Sequence, residues 1–286
     1  MKNNSSLRVS ISFAATVLVG ASATLAQAPP TFKVLYTFGR IEGTPVTLAE
    51  VSPGNFLTII ETSPALVPIT ATGIVGNIYY FPTLPSGLSV AGLTPALNNN
   101  TYGSAENSGP TLTFFELFAA SPSGNVTTYP YQQATAGILV QSPDNHLYGF
   151  YGVTGGVPEF SRFDYQGNAT PLGDLPPAYG LVYVLFLSTD GNYYALSLMN
   201  SNTSAGIFRI TPTGSFSWVV PSFSTGTYGV NHGISLIQAG NGKFYGTLPQ
   251  GGAANAGTIY EATLDGKIQT IHEFTQLNTG IPETLV

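Results

Sequence analysis

One short motif recurs five times along the chain at a nearly constant interval. Its clearest copy is residues 240–246, GNGKFYG, in which a turn of glycine and asparagine is followed by two aromatic residues. The second aromatic position is occupied in turn by Leu57, Tyr102, Tyr148, Tyr194 and Tyr245, at intervals of 45, 46, 46 and 51 residues. Self-similarity at such a period indicates a repeat architecture. We therefore predict that the fold is built from five copies of one unit.

Each unit holds segments for four short β-strands. The first lies before the turn and the second after it; the third follows a glycine-containing loop, as in residues 206–214 and 257–266, and the fourth follows a second turn. The Asp-Gly and Asn-Gly pairs of the first turn supply the positive φ angles that two-residue hairpins need. Four-stranded antiparallel units repeated at this period build β-propellers, whose blades bury their faces against their neighbours.

The predicted fold class is all-β, a β-propeller of four-stranded antiparallel blades. We predict five blades; six blades or an incomplete ring stay open, because strand-like segments at residues 34–38 and 280–286 flank the five units. Alternating residues such as Phe208 and Ile210 are predicted to fill the layers between blades. For the same reason the repeated tyrosines are interpreted as packing residues.

The composition supports this prediction. Only 8% of the residues are charged, against about 25% in typical domains. The chain has 33 Gly and 21 Pro beside 16 Tyr and 17 Phe, a balance that favours short strands and turns over helices. The hydrophobic content of 43% supplies enough apolar surface to offset the entropy of ordering a chain so rich in glycine and proline.

The N-terminus differs in character from the rest of the chain. Lys2 and Arg8 precede an uncharged stretch that is first apolar and then rich in small residues, the layout of a secretory signal peptide. We predict residues 1–28 as the signal peptide, with cleavage after Ala26, and residues 29–286 as a single repeat-built domain. The alternative is a retained membrane anchor, since about 20 apolar residues span a bilayer. Interspersed Ser, Thr and Gly make this stretch weakly hydrophobic and favour the signal peptide.

Export has two consequences for the rest of the chain. The protein is expected to be secreted, periplasmic or at the cell surface, with no membrane span once the signal peptide is removed. Disulfides form readily in such compartments, yet the sequence contains no cysteine. The fold must therefore be held by packing and strand pairing alone.

The charge pattern weighs against two classes of partner. The formal net charge is −6 at pH 7, and removing Lys2 and Arg8 leaves −8 by the same count. The remaining basic residues are single and scattered: Lys33, Arg40, Arg162, Arg209, Lys243 and Lys267. Nucleic acids and anionic lipid surfaces are bound by clustered basic side chains. We therefore expect no nucleic-acid partner and no attachment to anionic lipid.

The motifs of the unit also carry a family resemblance. The best-matching copy, residues 236–274, contains FYGT at 244–247, a glycine pair at 251–252 and GTIY at 257–260, and residues 206–214 match next best. This pattern resembles the GloVer tandem repeats of exported bacterial proteins. The first two units depart from it, since Leu57 replaces the tyrosine in the first, and residues 101–103 of the second lack a strong preceding strand. The resemblance implies a secreted or surface repeat protein and no defined reaction.

Candidate catalytic groups are few. His146 in a turn and His272 on a strand are interpreted as ordinary substitutions within the repeat, whereas His232, in the loop before the fifth unit, is the freest to act. The motifs of zinc proteases, serine hydrolases and phosphate-binding loops are missing. Asp144 and Asp190 each stand alone, so we predict that they bond their own turn backbone and not calcium. No catalytic residue, metal ligand or cofactor is predicted.

Two further groups of side chains are candidates for contact with a ligand. Aromatic rings can stack on sugars, and the candidates are Tyr79, Tyr80, Phe81, Tyr129, Tyr131 and Trp218. Glycoside hydrolysis needs a pair of carboxylates, and those available are Glu42, Glu50, Glu61, Glu106, Glu116, Glu159, Asp164 and Asp174. The two residues that we select as ligand-site candidates are His232 and Trp218.

We interpret the chain as an exported, non-enzymatic β-propeller that acts as a binding or cell-surface interaction module. Its ligand would be a glycan or a surface protein. The alternative is a propeller hydrolase or lyase acting on a polysaccharide or a lactone, with loop carboxylates and His232 at the central funnel. The repeat, the low charge and the missing catalytic motifs favour the first interpretation.

Overall fold

The computed structural model describes residues 45–60, 65–81, 89–108, 113–122, 125–129, 138–151, 157–199, 204–224, 235–248 and 251–275. Throughout these ranges the chain forms β-strands and turns, with one short 3-10 helix, Pro177–Tyr179. The predicted all-β class is confirmed.

Each blade is a four-stranded antiparallel sheet made of four consecutive strands. Blades 1 and 2 contain β1 (Pro45–Ser52), β2 (Asn55–Ile60), β3 (Ala65–Thr70), β4 (Tyr79–Tyr80), β5 (Ser89–Pro95), β6 (Thr101–Ser108), β7 (Thr113–Ala120) and β8 (Val126–Tyr129). Blades 3 and 4 contain β9 (Val140–Gln141), β10 (Leu147–Tyr151), β11 (Glu159–Phe163), β12 (Ala169–Asp174), β13 (Leu181–Leu187), β14 (Tyr193–Met199), β15 (Ser204–Ile210) and β16 (Phe216–Ser224). Blade 5 contains β17 (Ser235–Gln238), β18 (Phe244–Leu248), β19 (Thr258–Ala262) and β20 (Ile268–Glu273).

The five blades lie in a ring, the arrangement of a five-bladed β-propeller that the repeat predicts. The first strands of successive blades contact one another from β1 through to β17, so the first strand of each blade is the innermost. Apolar clusters join blade 1 to blade 2, blade 2 to blade 3, blade 3 to blade 4 and blade 4 to blade 5. Phe208 and Ile210 lie in the cluster between blades 3 and 4, as predicted.

The antiparallel strand order gives the ring two different ends. At one end, the turn end, the first strand of each blade turns into the second and the third turns into the fourth. At the other, the loop end, the second strand connects to the third and each blade connects to the next. In blades 2 to 5 every connection at the turn end spans five residues, whereas in blade 1 they span two and eight. Connections at the loop end differ in length from blade to blade.

In blades 2 to 5 the turns between first and second strands are one residue longer than the predicted two-residue hairpins, whereas in blade 1 only Pro53 and Gly54 separate the paired residues Ser52 and Asn55. In blade 4 the amide of Ser188 donates to the carbonyl of Asn192 at 2.9 Å, and the amide of Gly191 donates to the carbonyl of Ser188 at 3.0 Å. Gly191 has a φ of 80°, and Gly242 has the same value at the equivalent place in blade 5. A β-turn followed by one residue of positive φ is the usual three-residue hairpin, so a single glycine or asparagine suffices.

The repeated tyrosines pack between blades, as predicted. Tyr102, Tyr148 and Tyr194 are buried. Their ring centroids lie 5.7, 4.8 and 4.8 Å from those of aromatic residues in the next blade, namely Tyr165, Tyr193 and Phe244. Offset and tilted contacts at these distances stabilise the interface beyond the burial of area alone.

The predictions for the two termini concern residues outside those described. The signal peptide, residues 1–28, its cleavage after Ala26 and the strand-like segments 34–38 and 280–286 all fall there, so each stays a prediction. In the part of the chain that the structure describes, no helix has the length and apolar character needed to cross a membrane.

Candidate functional site

A hydrogen bond between a turn and a tyrosine four residues later recurs in four blades. The hydroxyls of Tyr148 and Tyr194 donate to carboxylate oxygens of Asp144 and Asp190, at 2.7 and 2.8 Å. In blades 2 and 5 the polarity is reversed, because Asn98 Nδ2 donates to Tyr102 at 2.8 Å and Asn241 Nδ2 donates to Tyr245 at 2.9 Å. The two aspartates also accept from backbone amides of their own turns, as predicted. These polar groups are therefore structural.

These bonds shift the pKa values of both partners. Desolvation raises the pKa of Asp190, but hydrogen bonds, chiefly from Asn192 and Tyr194, outweigh it and leave the pKa below its ordinary value. The pKa of Asp144 is lowered in the same way. Burial, followed by the bond to Asp144, raises the pKa of Tyr148 to about 12. At neutral pH the carboxylates are thus ionised acceptors and the tyrosine hydroxyls are donors.

The lowered pKa of Asp190 predicts an acid-sensitive contribution to stability. A carboxyl group whose folded pKa lies below its unfolded value of about 3.9 stabilises the fold fully above that value. The contribution is lost as the pH falls through the folded pKa. We expect Asp190→Asn to flatten the pH dependence of the thermal unfolding midpoint below about pH 5. Asp174→Asn, at an exposed site on β12, is the matched control, and equal pH profiles for the two variants would contradict the assignment.

Blade 5 carries a polar cluster where blades 3 and 4 have arginine. Glu261 on β19 occupies the position of Arg162 and Arg209, each paired with the repeated tyrosine. Glu261 is only 9% exposed, and its carboxylate accepts from Lys243 Nζ and Tyr245 Oη, both at 2.8 Å. The bond from Lys243, followed by that from Tyr245, lowers the pKa of Glu261. Because Lys243 and Tyr245 already donate to this carboxylate, the cluster stabilises blade 5 and leaves few free acceptor sites for a ligand.

The histidines have different surroundings. His146 is partly exposed in the turn of blade 3, and its Nδ1 lies 2.9 Å from the carbonyl oxygen of Asp144. His272 is exposed on the outer strand β20, with its ring 4.8 Å from that of Phe274. His232, the histidine selected from the sequence, lies outside the described residues, between β16 and β17. Its role therefore stays a prediction.

Trp218, the second candidate from the sequence, lies on β16 in the interface between blades 3 and 4. Its ring stacks on that of Tyr179, with centroids 4.1 Å apart and planes 3° apart, and it meets Phe208 edge to face at 5.9 Å. Gly206 lies beneath the indole, and a Cβ at that position would collide with it. The indole is therefore held between Tyr179 and the backbone of blade 4, with part of its surface left exposed.

Tyr179 belongs to a segment that sequence analysis did not select. Residues 174–181 cross from the outermost strand of blade 3 to the innermost strand of blade 4 at the loop end. Two buried side chains, Leu175 and Tyr179, anchor the segment, and the amide of Leu175 donates to the carbonyl of Pro158 at 2.7 Å. We call residues 174–181 together with residues 157–159 the connection surface.

The connection surface exposes apolar side chains beside two carboxylates. Leu181 is 63% exposed and Val157 is 46% exposed. Pro177 and Ala178, on the segment that leads to Leu181, are exposed as well. Glu159 and Asp174 are directly opposed across β11 and β12. Their Cβ atoms are therefore about 5 Å apart by ordinary sheet geometry. Alternation along β11 puts Glu159 on the face of Phe163, which packs towards blade 2, whereas Tyr179 and Trp218 pack between blades 3 and 4. The carboxylates therefore face away from the aromatic stack.

The other carboxylates and aromatic residues named from the sequence are dispersed. Glu50 on β1 accepts from the amide of Gly54 at 2.8 Å at the turn end, and Asp164 accepts within its own turn from Asn168. The remaining acidic candidates lie on strands of blade 2 or outside the described residues: Glu106, Glu116, Glu42 and Glu61. Of the aromatic candidates, Tyr79 and Phe81 pack together, Tyr129 donates to the carbonyl of Tyr165, Tyr80 is exposed, and Tyr131 is outside the described residues. In the part of the chain that the structure describes, no group of three or more His, Asp and Glu side chains is placed to hold a metal ion.

Solved structures similar to this chain are β-propellers or proteins of undefined function. A streptogramin B lyase aligns with a TM-score of 0.56 at 17% identity, over 79% of this chain and 67% of that one. A protein of unknown function from Bacteroides caccae aligns with a TM-score of 0.55 at 12% identity, over 88% of this chain and 90% of that one. TolB from Acinetobacter baumannii aligns with a TM-score of 0.53 at 15% identity, over 79% of this chain and 53% of that one. At such identities the likeness shows the fold alone.

Comparison with known sequences does not assign the chain to a family. No family model matches the chain, and a search of curated proteins gives no match. The bacterial propeller neighbours fit a propeller repeat protein, whereas membership of the GloVer-type family stays a prediction.

Proposed function

We propose that the protein is an exported, non-enzymatic β-propeller that acts as a binding or cell-surface interaction module. The observation that carries the proposal is the connection surface, where Val157, Pro177, Ala178 and Leu181 expose apolar area on a segment anchored by buried Leu175 and Tyr179. Exposed apolar side chains grouped on a rigid support are typical of interaction sites. The polar groups of the turn end, in contrast, are used in the fold's own hydrogen bonds.

A comparison of two leucine variants tests this function. The purified protein, Leu181→Lys and Leu264→Lys are applied to glycan arrays and used in pull-downs from cell envelopes. Leu264 is 47% exposed at the turn end and is the matched control. We expect a ligand that the wild type and Leu264→Lys bind in a purified system and that Leu181→Lys does not bind. No ligand of any kind in either assay would contradict the proposal.

A hydrolase or lyase acting on a polysaccharide or a lactone is the second candidate function. The opposed carboxylates Glu159 and Asp174 favour it, because glycoside hydrolysis uses one carboxyl group as acid and another as base or nucleophile. Both lie on the outer hairpin of blade 3. An enzyme of this kind with its catalytic groups at the central funnel would need other residues. Turnover of a polysaccharide or lactone by the wild type, lost in Glu159→Gln, would establish this alternative in place of the first.

A further inference from the structure

The first turn of blade 5, residues 239–243, contains the only Asn-Gly pair in the sequence, Asn241-Gly242. The Asn241 side chain is exposed, and Gly242 follows it with a φ of 80°. Asparagine is a chemically labile residue, and it is most so before glycine, because glycine has no side chain to shield its backbone nitrogen or to restrict its backbone. The turn therefore presents a reactive pair of residues at the protein surface.

Deamidation of this pair consumes water and releases ammonia. The backbone nitrogen of Gly242 attacks Cγ of Asn241 and gives up its proton, while the bond from Cγ to Nδ2 breaks and the side-chain nitrogen leaves as ammonia. The product of this step is a succinimide ring, which water then opens at one of its two carbonyl groups. The result is an aspartate in place of Asn241, or an isoaspartate whose side chain has become part of the backbone.

The folded turn engages both reacting groups in hydrogen bonds. The amide of Gly242 donates to the carbonyl of Ala239 at 2.9 Å. The side-chain amide of Asn241 is held at both ends, because Oδ1 accepts from the amide of Lys243 at 3.0 Å and Nδ2 donates to Tyr245 Oη at 2.9 Å. Attack by the Gly242 nitrogen requires these bonds to break, so the reaction proceeds through local opening of the turn.

Glu261 determines that Tyr245 accepts a hydrogen bond from the turn. A tyrosine hydroxyl has one proton, and that of Tyr245 is donated to Glu261 at 2.8 Å, which leaves the oxygen to accept from Asn241. In blades 3 and 4 the residue paired with the tyrosine is arginine, the hydroxyl donates to the turn, and the turn residue is aspartate. An aspartate at position 241 would instead share the one proton with Glu261, and the two carboxylates would repel each other.

We propose that Asn241 is a site of spontaneous deamidation, that its hydrogen bond to Tyr245 slows the reaction, and that the product loosens the first turn of blade 5. The reaction needs water and no partner, so it is independent of the proposed binding function. The turn also lies at the end of the ring opposite the connection surface.

The rate is measured by incubating the whole protein in a mildly alkaline buffer and following the deamidated fraction at Asn241 by peptide mapping and mass spectrometry. We expect the fraction to grow about fivefold faster in Tyr245→Phe than in the wild type, because the loss of one ordinary hydrogen bond favours local opening by about that factor. A comparison that needs no variant uses urea, in which the wild-type turn is open. Deamidation at Asn241 should be faster there than in native buffer.

Tyr102→Phe is the matched control for a general loss of stability. It removes the corresponding bond from Asn98 in blade 2, and Asn98 is followed by asparagine, not glycine. This variant should deamidate at Asn241 at the wild-type rate. Unfolding midpoints show whether each variant is folded.

Asn241→Asp imitates one product and tests the consequence of the reaction. It should lower the unfolding midpoint of the protein, because a repulsion replaces a hydrogen bond. Glu261→Gln removes the second carboxylate, so the loss caused by Asn241→Asp should be smaller in the double variant than in the wild-type background.

Each other outcome overturns a distinct statement. No deamidation at Asn241 in the wild type or in Tyr245→Phe would overturn the site. Equal rates in those two proteins, or equal wild-type rates with and without urea, would overturn the protective role of the turn. The same acceleration at Asn241 in Tyr102→Phe would assign the reaction to a general loss of stability. Strictly additive losses for Asn241→Asp and Glu261→Gln would overturn the predicted repulsion.

Discussion

Phe208→Ala is expected to lower the free energy of unfolding by about 3–5 kcal/mol. Phe208 is fully buried on β15, and its ring contacts Tyr179, Phe216 and Trp218. Removing it leaves a cavity between blades 3 and 4 that the rigid strands on either side cannot close. The change is measured by chemical denaturation, with Trp218 emission as the probe.

Ile74→Ala is the control for that measurement. Ile74 is 65% exposed at the turn end of blade 1, so its truncation should change stability by no more than about 0.5 kcal/mol. A loss below about 1 kcal/mol for Phe208→Ala would mean that the interface between blades 3 and 4 is packed loosely. The aromatic stack could then not serve as the rigid support of the connection surface.

Gly246→Ala is expected to destabilise the protein by about 1–3 kcal/mol through overpacking. Gly246 is paired with Tyr260, and a Cβ at position 246 would collide with the Tyr260 ring and with the backbone oxygen of Ser235. Tyr260 is fully buried, and its hydroxyl donates to that same oxygen at 3.2 Å, so it cannot move aside freely. The measurement is chemical denaturation, and Gly240→Ala, at a glycine with open space around it, is the control.

A double variant separates the collision from other causes. In blade 4 the same pair of positions holds Ala195 and Phe208, so an alanine is accommodated beside a ring without a hydroxyl. Gly246→Ala combined with Tyr260→Phe should therefore be more stable than the sum of the two single losses predicts. Strictly additive losses would show that the Tyr260 hydroxyl is not what excludes a side chain at position 246.

The sequence predicted the blade well because a repeat supplies several independent readings of one unit. Turn residues, strand number and the packing role of Tyr148 and Tyr194 are consistent between copies, and the structure confirms them. The bond from turn to tyrosine was also readable, since Asn or Asp stands four residues before the tyrosine at Asn98, Asp144 and their equivalents. That signal is a spacing within the motif and requires no knowledge of the fold.

The connection surface could not be predicted in the same way, because it depends on features that do not repeat. The opposition of Glu159 and Asp174 follows from the register of β11 and β12, which contains a bulge next to Phe160. The stack of Tyr179 on Trp218 joins residues 39 positions apart and depends on the 3-10 helix between blades. Sequence analysis did select Trp218, but only the structure shows that one face of its ring is covered.

Hydrogen exchange of the whole protein, with and without a saturating ligand found on the glycan arrays or in the pull-downs, tests the central claim most directly. If the repeated motifs build the ring and the connection surface binds the ligand, protection should increase in residues 157–159 and 174–181. The turns at residues 142–146 and 188–192 should exchange as they do in the free protein. Protection confined to those turns, or none at 174–181 when the ligand is bound, would contradict the account.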